Sequence, residues 1–163
     1  MTFGTAGNEG IRISDLEVGS SILEKFQNHG HRDIDSARVY GNGSTEEFLG
    51  DLQWQKRGFN VHTKLYPTKN WPAGSTTAFY SHEPADIRRG LLESLKALGA
   101  TRVDLFYLHE PDRITPFEDT LGGVNALHEE GYFCRLGLSN YMSWEVAHIE
   151  ICETNGWIKP SVY

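Results

Sequence analysis

Cysteine is nearly absent: Cys134 and Cys152 are the only two in 163 residues. Two cysteines cannot make the disulfide framework of a small secreted domain. Each reads as a small buried filler in a reducing compartment. No apolar run approaches the ~18 residues of a membrane span. The first ten residues, MTFGTAGNEG, show neither the charged start nor the apolar core of a signal peptide. The expected setting is cytoplasmic, with no membrane partner. Clustered Lys/Arg is missing too, and the net charge is −7. Binding to nucleic acid or to an anionic membrane needs a basic face, so both are excluded as general functions. The seven histidines show no H-x-x-x-H or H-E-x-x-H spacing, so no metal site is expected. His29 and His31 flank a predicted helix stop and read as solvated or capping.

What is present is enough for one ordinary domain with a real core: 39% of residues are hydrophobic and 23% are charged. Periodicity alternates strand and helix along the chain. MTFGTAG predicts a first strand, and residues 15–29 a helix stopped by Gly30. RDIDSA predicts a second strand. A helix follows from Ser44, three residues before Glu47, the spacing of a capping box. FNVHTKLYP predicts a third strand, with Val61, Thr63 and Leu65 on one face and His62, Lys64 and Tyr66 on the other. After the long loop TKNWPAGSTTAFYS comes a helix over residues 83–98, burying Ile87, Leu91, Leu95 and Leu98.

RVDLFYLHEP predicts a fourth strand. The next helix opens with Thr115 and Glu118 at capping-box spacing and Pro116 at its first position. It buries Leu121, Val124 and Leu127. FCRLGLSNY predicts a fifth strand. Ser143 is expected to cap a helix carrying Val146, Ala147 and Ile149 and stopping near Gly156. KPSVY starts a sixth strand. Such alternation with short connections predicts an α/β fold with a parallel sheet and right-handed crossovers. No linker divides the chain, so residues 1–163 are read as one domain. An open doubly wound sheet and a closed (β/α) barrel both fit. The first turn, GTAGNEG, lacks a clean G-x-G-x-x-G and its acidic partner, which argues against a dinucleotide-type Rossmann site.

Polar residues stand where strands finish: Asp35, Lys64, His109, and Ser139 with Asn140. In a parallel barrel these ends share one face, where catalytic groups collect. Taken singly, each has an ordinary explanation: a loop cap, a snorkelling lysine, a satisfied core histidine, a turn. Taken together, four consecutive strand ends suit carbonyl reduction. A reduced carbonyl carbon leaves an alkoxide that needs a proton. A tyrosine of pKa ~10 is a weak acid for that task. On this reading Asp35 keeps Lys64 charged, Lys64 acidifies Tyr40, and Tyr40 donates the proton. His109 hydrogen-bonds the substrate oxygen and orients it. Asp33, one pleat deeper on the face of Asp35, has no catalytic role, and Ile34 points to the helices.

These residues resemble the aldo-keto reductase family. DIDSARVYG is similar to its D-[ST]-A-x-x-Y-G segment, HTKLYP to its catalytic-lysine strand, FYLHEPD to its histidine strand and RLGLSNY to its nicotinamide-binding strand. YPTKNW, LHEPDRITPFEDTL and NGWIKPSVY look most like the aflatoxin aldehyde reductase branch. The resemblance implies a (β/α)8 TIM barrel and NADPH-dependent reduction of an aldehyde or ketone. It gives Tyr40 as proton donor and Asp35, Lys64 and His109 as the rest of a catalytic tetrad. Asp35, Ser139 and Asn140 would face the cofactor, with Ser139 and Asn140 on the nicotinamide carboxamide. Tyr40, His109 and Trp71 would meet a small-molecule carbonyl substrate, although Trp71 is equally open to a packing role. In a fungus that substrate could be a carbonyl intermediate of secondary metabolism. Ser36 stands where this branch often has threonine. Glu110 stands where it often has glycine, adding a charge at the mouth of the site.

A barrel of this kind needs eight strands and typically ~250 residues. Five complete strand–helix units and part of a sixth strand are counted here. The expectation is therefore a partial barrel, clipped slightly at its N-terminus and lacking strands seven and eight at its C-terminus. The late loop and helix start that grip the 2′-phosphate of NADPH would be missing. Unpaired edge strands would then favour poor stability, edge-mediated association or homo-oligomers. Two other readings stay open. One is a truncated non-catalytic paralogue or binding module, like the aldo-keto-fold β subunits of potassium channels. The other is a Schiff-base aldolase using Lys64, which would not require Tyr40 and the GLSNY strand together.

Overall fold

The computed structural model describes residues 13–76 and 78–163. The first predicted strand, MTFGTAG, lies outside them. The elements in chain order are α1 (Ile13–Asn28), β1 (Asp33–Asp35), a 3₁₀ turn (Tyr40–Gly43), α2 (Ser44–Asp51), β2 (Asn60–Leu65), α3 (Pro84–Ala97), β3 (Val103–Leu108), α4 (Phe117–Glu129), β4 (Phe133–Leu138), α5 (Ser143–His148), α6 (Glu150–Thr154) and β5 (Pro160–Val162). The five strands form one sheet in the order β1-β2-β3-β4-β5, every neighbouring pair parallel. Strand order that follows chain order is what successive right-handed βα units produce when a sheet curls toward a barrel rather than doubling back.

The helices cover one face of the curled sheet because their apolar residues recur at helical spacing. In α3, Ile87, Leu91 and Leu95 repeat every four residues and are all buried. In α4, Leu121, Val124 and Leu127 recur every three residues and are buried too. Both helices stop where the sequence predicts, at Gly99 and Gly131, whose φ values of 62° and 83° belong to the left-handed region. Register then fixes which strand residues meet the helices. Thr63, Phe106 and Leu136 align across β2, β3 and β4, as do Leu65, Leu108 and Leu138. All six are buried. Between those two rows Lys64, Tyr107 and Gly137 align on the opposite, inner face. Ile34 is buried between the two exposed aspartates of β1, as the alternation requires.

The helix starts differ from the sequence reading. Ser44 lies inside α2, whose N-cap is Gly43, and no side chain caps it. Thr115 donates its hydroxyl to Asp112, and Pro116 is the N-cap of α4 rather than its first residue. Ser143 opens α5, with Met142 as N-cap. The Met142 N–H donates to the Glu145 carboxylate at 2.8 Å. In none of the three places does the expected hydroxyl cap its helix: α2 and α4 have no side-chain cap, and at α5 the reciprocal bond of Glu145 to the Met142 N–H is what is made. The predicted helix after Ser143 is two short helices. Ile149 is buried as expected, but Val146 and Ala147 are exposed and Cys152 is buried beside Ile149. Cys134 is half-buried, not a core filler. Among the described residues, no helix is long and apolar enough to cross a membrane. No group of three or more His, Cys, Asp or Glu among them could hold a metal ion.

Candidate active site

The site begins where β1 stops. Past Asp35 the chain leaves the ladder but stays beside β2, with Ser36 N–H on the His62 carbonyl and Arg38 N–H on the Lys64 carbonyl. The Tyr40 N–H then closes a turn on the Ala37 carbonyl. This short path brings Tyr40 back over the end of β2. The turn is held from behind by Glu46 of α2, a fully buried carboxylate that accepts from Arg38 at 3.2 Å and from the Thr63 hydroxyl. Burial pushes the Glu46 carboxyl above the usual carboxylate range, opposed by Thr63 and Arg38.

Lys64 is the centre of the inner face. Its ammonium is buried and reaches two oxygens: the Asp35 carboxylate at 2.6 Å and the Ser36 carbonyl at 2.8 Å. The same Nζ lies 5.3 Å from the centre of the Tyr40 ring and 5.5 Å from that of Tyr107. Tyr107 fits there because its register neighbour is Gly137. A Cβ at 137 would stand 2.3 Å from the Tyr107 ring.

His109 follows β3 and is locked at its backbone, donating its N–H to the Leu65 carbonyl at 3.0 Å. Its ring stands edge-on to Tyr40 at 5.6 Å and to Tyr66 at 5.2 Å. The next strand end is tied to it directly. Asn140, at φ 61°, donates its side-chain amide to the His109 carbonyl at 2.8 Å and to the Ser139 hydroxyl at 3.2 Å. Tyr66 continues the wall outward to Trp71, with ring centres 5.1 Å apart. Tyr66, Trp71, Glu110 and Arg113 are among the residues lining a cleft of about 440 Å³. Asp35, Tyr40, Lys64, His109, Ser139 and Asn140 thus stand together at one rim, and Trp71 joins them through Tyr66. Asp33 does not join them; it accepts from Asn60 at 3.1 Å and lies 3.3 Å from the His62 ring.

The electrostatics follow from burial and the ion pair. Burial lowers the Lys64 pKa, and the hydrogen bond and charge of Asp35 oppose the fall. Burial, then the Lys64 charge, pushes His109 down to about 4, so its ring is neutral at pH 7. Its Nδ1 is buried with no hydrogen-bond partner among the described residues. Tyr40 departs from the sequence expectation. Its phenol is raised, by burial and then by the Asp35 charge, rather than acidified by Lys64. Burial is the larger cause, and the Asp35 carboxylate, seated on the Lys64 ammonium, adds to it. The phenol therefore holds its proton at neutral pH.

Two contributors escaped the sequence reading. Tyr66 was placed on the right face by alternation, yet nothing in the sequence marked its ring as the joint between His109 and Trp71. Glu46 is the other; its helix position was legible, but only tertiary contact turns it toward Arg38 and Thr63.

Comparison with known proteins gives this arrangement a lineage. The whole chain, residues 1–163, matches the aldo/keto reductase family model. An aldo-keto reductase of Monascus ruber is 52% identical over 95% of this chain and 46% of its own length. Aldo-keto reductase family 7 member A3 of Homo sapiens is 44% identical over 93% of this chain and 45% of its own. Aflatoxin B1 aldehyde reductase member 2 of Homo sapiens is 42% identical over 93% and 41%. The chain thus spans about half the length of the curated relatives it matches. A thermostable aldo-keto reductase solved with the inhibitor epalrestat superposes with a TM-score of 0.73 at 26% identity, covering 92% of this chain and 51% of that one. An aldo/keto reductase of Klebsiella pneumoniae, solved with NADP and acetate, shares the fold at a TM-score of 0.69 and 23% identity, over 91% of this chain and 48% of that one. The curled parallel half-barrel and the full-length family match agree: this chain belongs to the aldo/keto reductase family.

Proposed function

We propose that this chain carries the site of an NADPH-dependent reductase that converts an aldehyde or ketone to an alcohol. The observation that carries the reading is the Lys64–Asp35 ion pair at 2.6 Å, flanked by a protonated Tyr40 phenol and a neutral His109 ring. When bound, NADPH supplies the hydride for the carbonyl carbon. Tyr40 gives its proton to the carbonyl oxygen as charge develops there. The Lys64 ammonium, close to the ring, stabilises the phenolate left behind. Asp35 keeps that ammonium charged in its buried setting. His109, being neutral, donates one N–H toward the substrate oxygen and stays an uncharged orienting group. Trp71 and Tyr66 form the apolar wall against which the rest of the substrate lies.

The donor set fits a nicotinamide carboxamide, which needs both a donor and an acceptor. The Ser139 hydroxyl and the Asn140 amide offer both at the same strand end, and the amide is already oriented by the His109 carbonyl. Carbonyl intermediates of fungal secondary metabolism are natural substrates to screen.

The test is NADPH oxidation with 4-nitrobenzaldehyde and with succinic semialdehyde. Tyr40→Phe should lower the turnover of the unsubstituted chain about 10²–10⁴-fold, the usual worth of a positioned general acid. NADPH binding, followed by its fluorescence, should survive the substitution. A folded chain that neither binds NADPH nor reduces either aldehyde would overturn the reading, as would undiminished turnover by Tyr40→Phe.

A further inference from the structure

One carboxylate at the cleft is left over by this chemistry. Glu110 follows His109 directly, lines the 440 Å³ cleft and accepts a hydrogen bond from the Tyr66 hydroxyl. The other charges around the cleft are spoken for. Lys69 pairs with Glu83 at 3.0 Å, and Arg113 pairs at 2.8 Å with Glu145, which is fully buried. Asp112 accepts from the His82 and Ile114 backbones and from the Thr115 hydroxyl. Among the described residues no cation pairs with Glu110. Its partner is a neutral phenol whose ring is also the joint between His109 and Trp71. The carboxylate is therefore fixed in place by a group that does not cancel its charge.

We propose that Glu110, steadied by Tyr66, sets charge selectivity at the mouth of the cleft, admitting neutral and cationic carbonyl compounds in preference to anionic ones. This rests on the reductase reading for the identity of the ligand as a carbonyl compound. The physics is direct. Tyr66 stands against the His109 ring and also lines the cleft, so a substrate held at Tyr40 and His109 that extends along Tyr66 passes Glu110. A carboxylate on that substrate meets a like charge in a partly desolvated cleft. A cation meets an opposite one. At ~4 Å in a water-like dielectric each interaction is worth about 1 kcal/mol, or roughly fivefold in affinity. Salt screens it.

The experiment measures dissociation constants of three para-substituted benzaldehydes for the 163-residue chain by ligand-observed NMR, with no turnover required. The probes are 4-carboxybenzaldehyde, 4-nitrobenzaldehyde and 4-(trimethylammonio)benzaldehyde. The cation is expected to bind about 25-fold more tightly than the anion, with the neutral compound between, fivefold from each. High salt should compress that ratio. Glu110→Gln, which keeps an acceptor for Tyr66, should reduce it to near unity. Tyr66→Phe, which frees the carboxylate, should reduce it part of the way. A cation-to-anion ratio unchanged by salt and by Glu110→Gln overturns the proposal, and so does the absence of binding by all three. Ordered binding without NADPH oxidation would instead count against the reductase reading alone. Turnover with a flat ratio would count against Glu110 alone.

Discussion

Replacing Asp35 with asparagine isolates the charge logic of the site. The Lys64 ammonium is only 6% exposed, with the Asp35 carboxylate at 2.6 Å and the Ser36 carbonyl at 2.8 Å. Asparagine has nearly the same shape, so packing stays and the charge goes. Removing one partner of a fully buried pair costs about 3–5 kcal/mol. The Asp35 side chain is 54% exposed, so solvent already screens the pair, and a loss of about 1–2 kcal/mol near neutral pH is expected.

The pH dependence has a definite sign. Lys64 is held below its ordinary value of 10.5 in the folded chain. Between the folded pKa and 10.5 the unfolded chain binds more protons, so stability rises with pH across that window. Without Asp35 the folded pKa falls further, and the rise begins at lower pH. Wild type and variant then converge once Lys64 is neutral in both. Urea unfolding followed by tryptophan fluorescence, at a series of pH values from neutral to alkaline, measures the difference. Asp33→Asn is the control, because Asp33 sits on the same strand and bonds Asn60 and the His62 ring rather than Lys64. A destabilisation that stays flat with rising pH, or that Asp33→Asn reproduces, would refute the role given to Asp35.

The neutral imidazole can be checked without any ligand. An NMR titration should place the His109 midpoint near 4, and stability should fall as pH drops from 6.5 to about 4, because the unfolded chain protonates first; a midpoint at 6.5 would contradict the buried, Lys64-facing ring. Packing behind the site is tested by Gly50→Ala, whose Cβ would lie 2.3 Å from the Ala97 carbonyl oxygen. Overpacking of about 1–3 kcal/mol, less the ~1 kcal/mol that alanine gains in a helix, leaves a net loss of up to about 2 kcal/mol, read as a lower urea midpoint. An unchanged midpoint would mean that α2 and α3 are not in close contact at that point.

Period and register made much of this fold legible. Strict alternation in FNVHTKLYP is a backbone property, so it separates Val61, Thr63 and Leu65 on one face from Lys64 on the other; the fold turns the first set toward the helices. Helix stops at Gly99 and Gly131 were equally local, since a left-handed φ is open to glycine at little cost. Helix starts were not. Ser44, Thr115 and Ser143 are not the N-caps; Gly43, Pro116 and Met142 are, and the Thr115 hydroxyl goes to Asp112 instead. Where the first turn begins depends on the backbone path into each helix, which a capping-box spacing does not fix.

The candidate site divides the same way. The sequence by itself determined that Asp35, Lys64, His109 and Asn140 end consecutive parallel strands, and parallel strands in chain order bring their ends to one rim. Only the tertiary structure decided the charge balance there. Burying the phenol, with the Asp35 carboxylate nearby, leaves Tyr40 with a raised rather than lowered pKa. Joining Tyr66 to Glu110 on one side and to His109 and Trp71 on the other is likewise a matter of contact. The reason is physical: periodicity fixes which face a side chain takes, but a charge's effect depends on distance and burial, and those exist only once the sheet has curled.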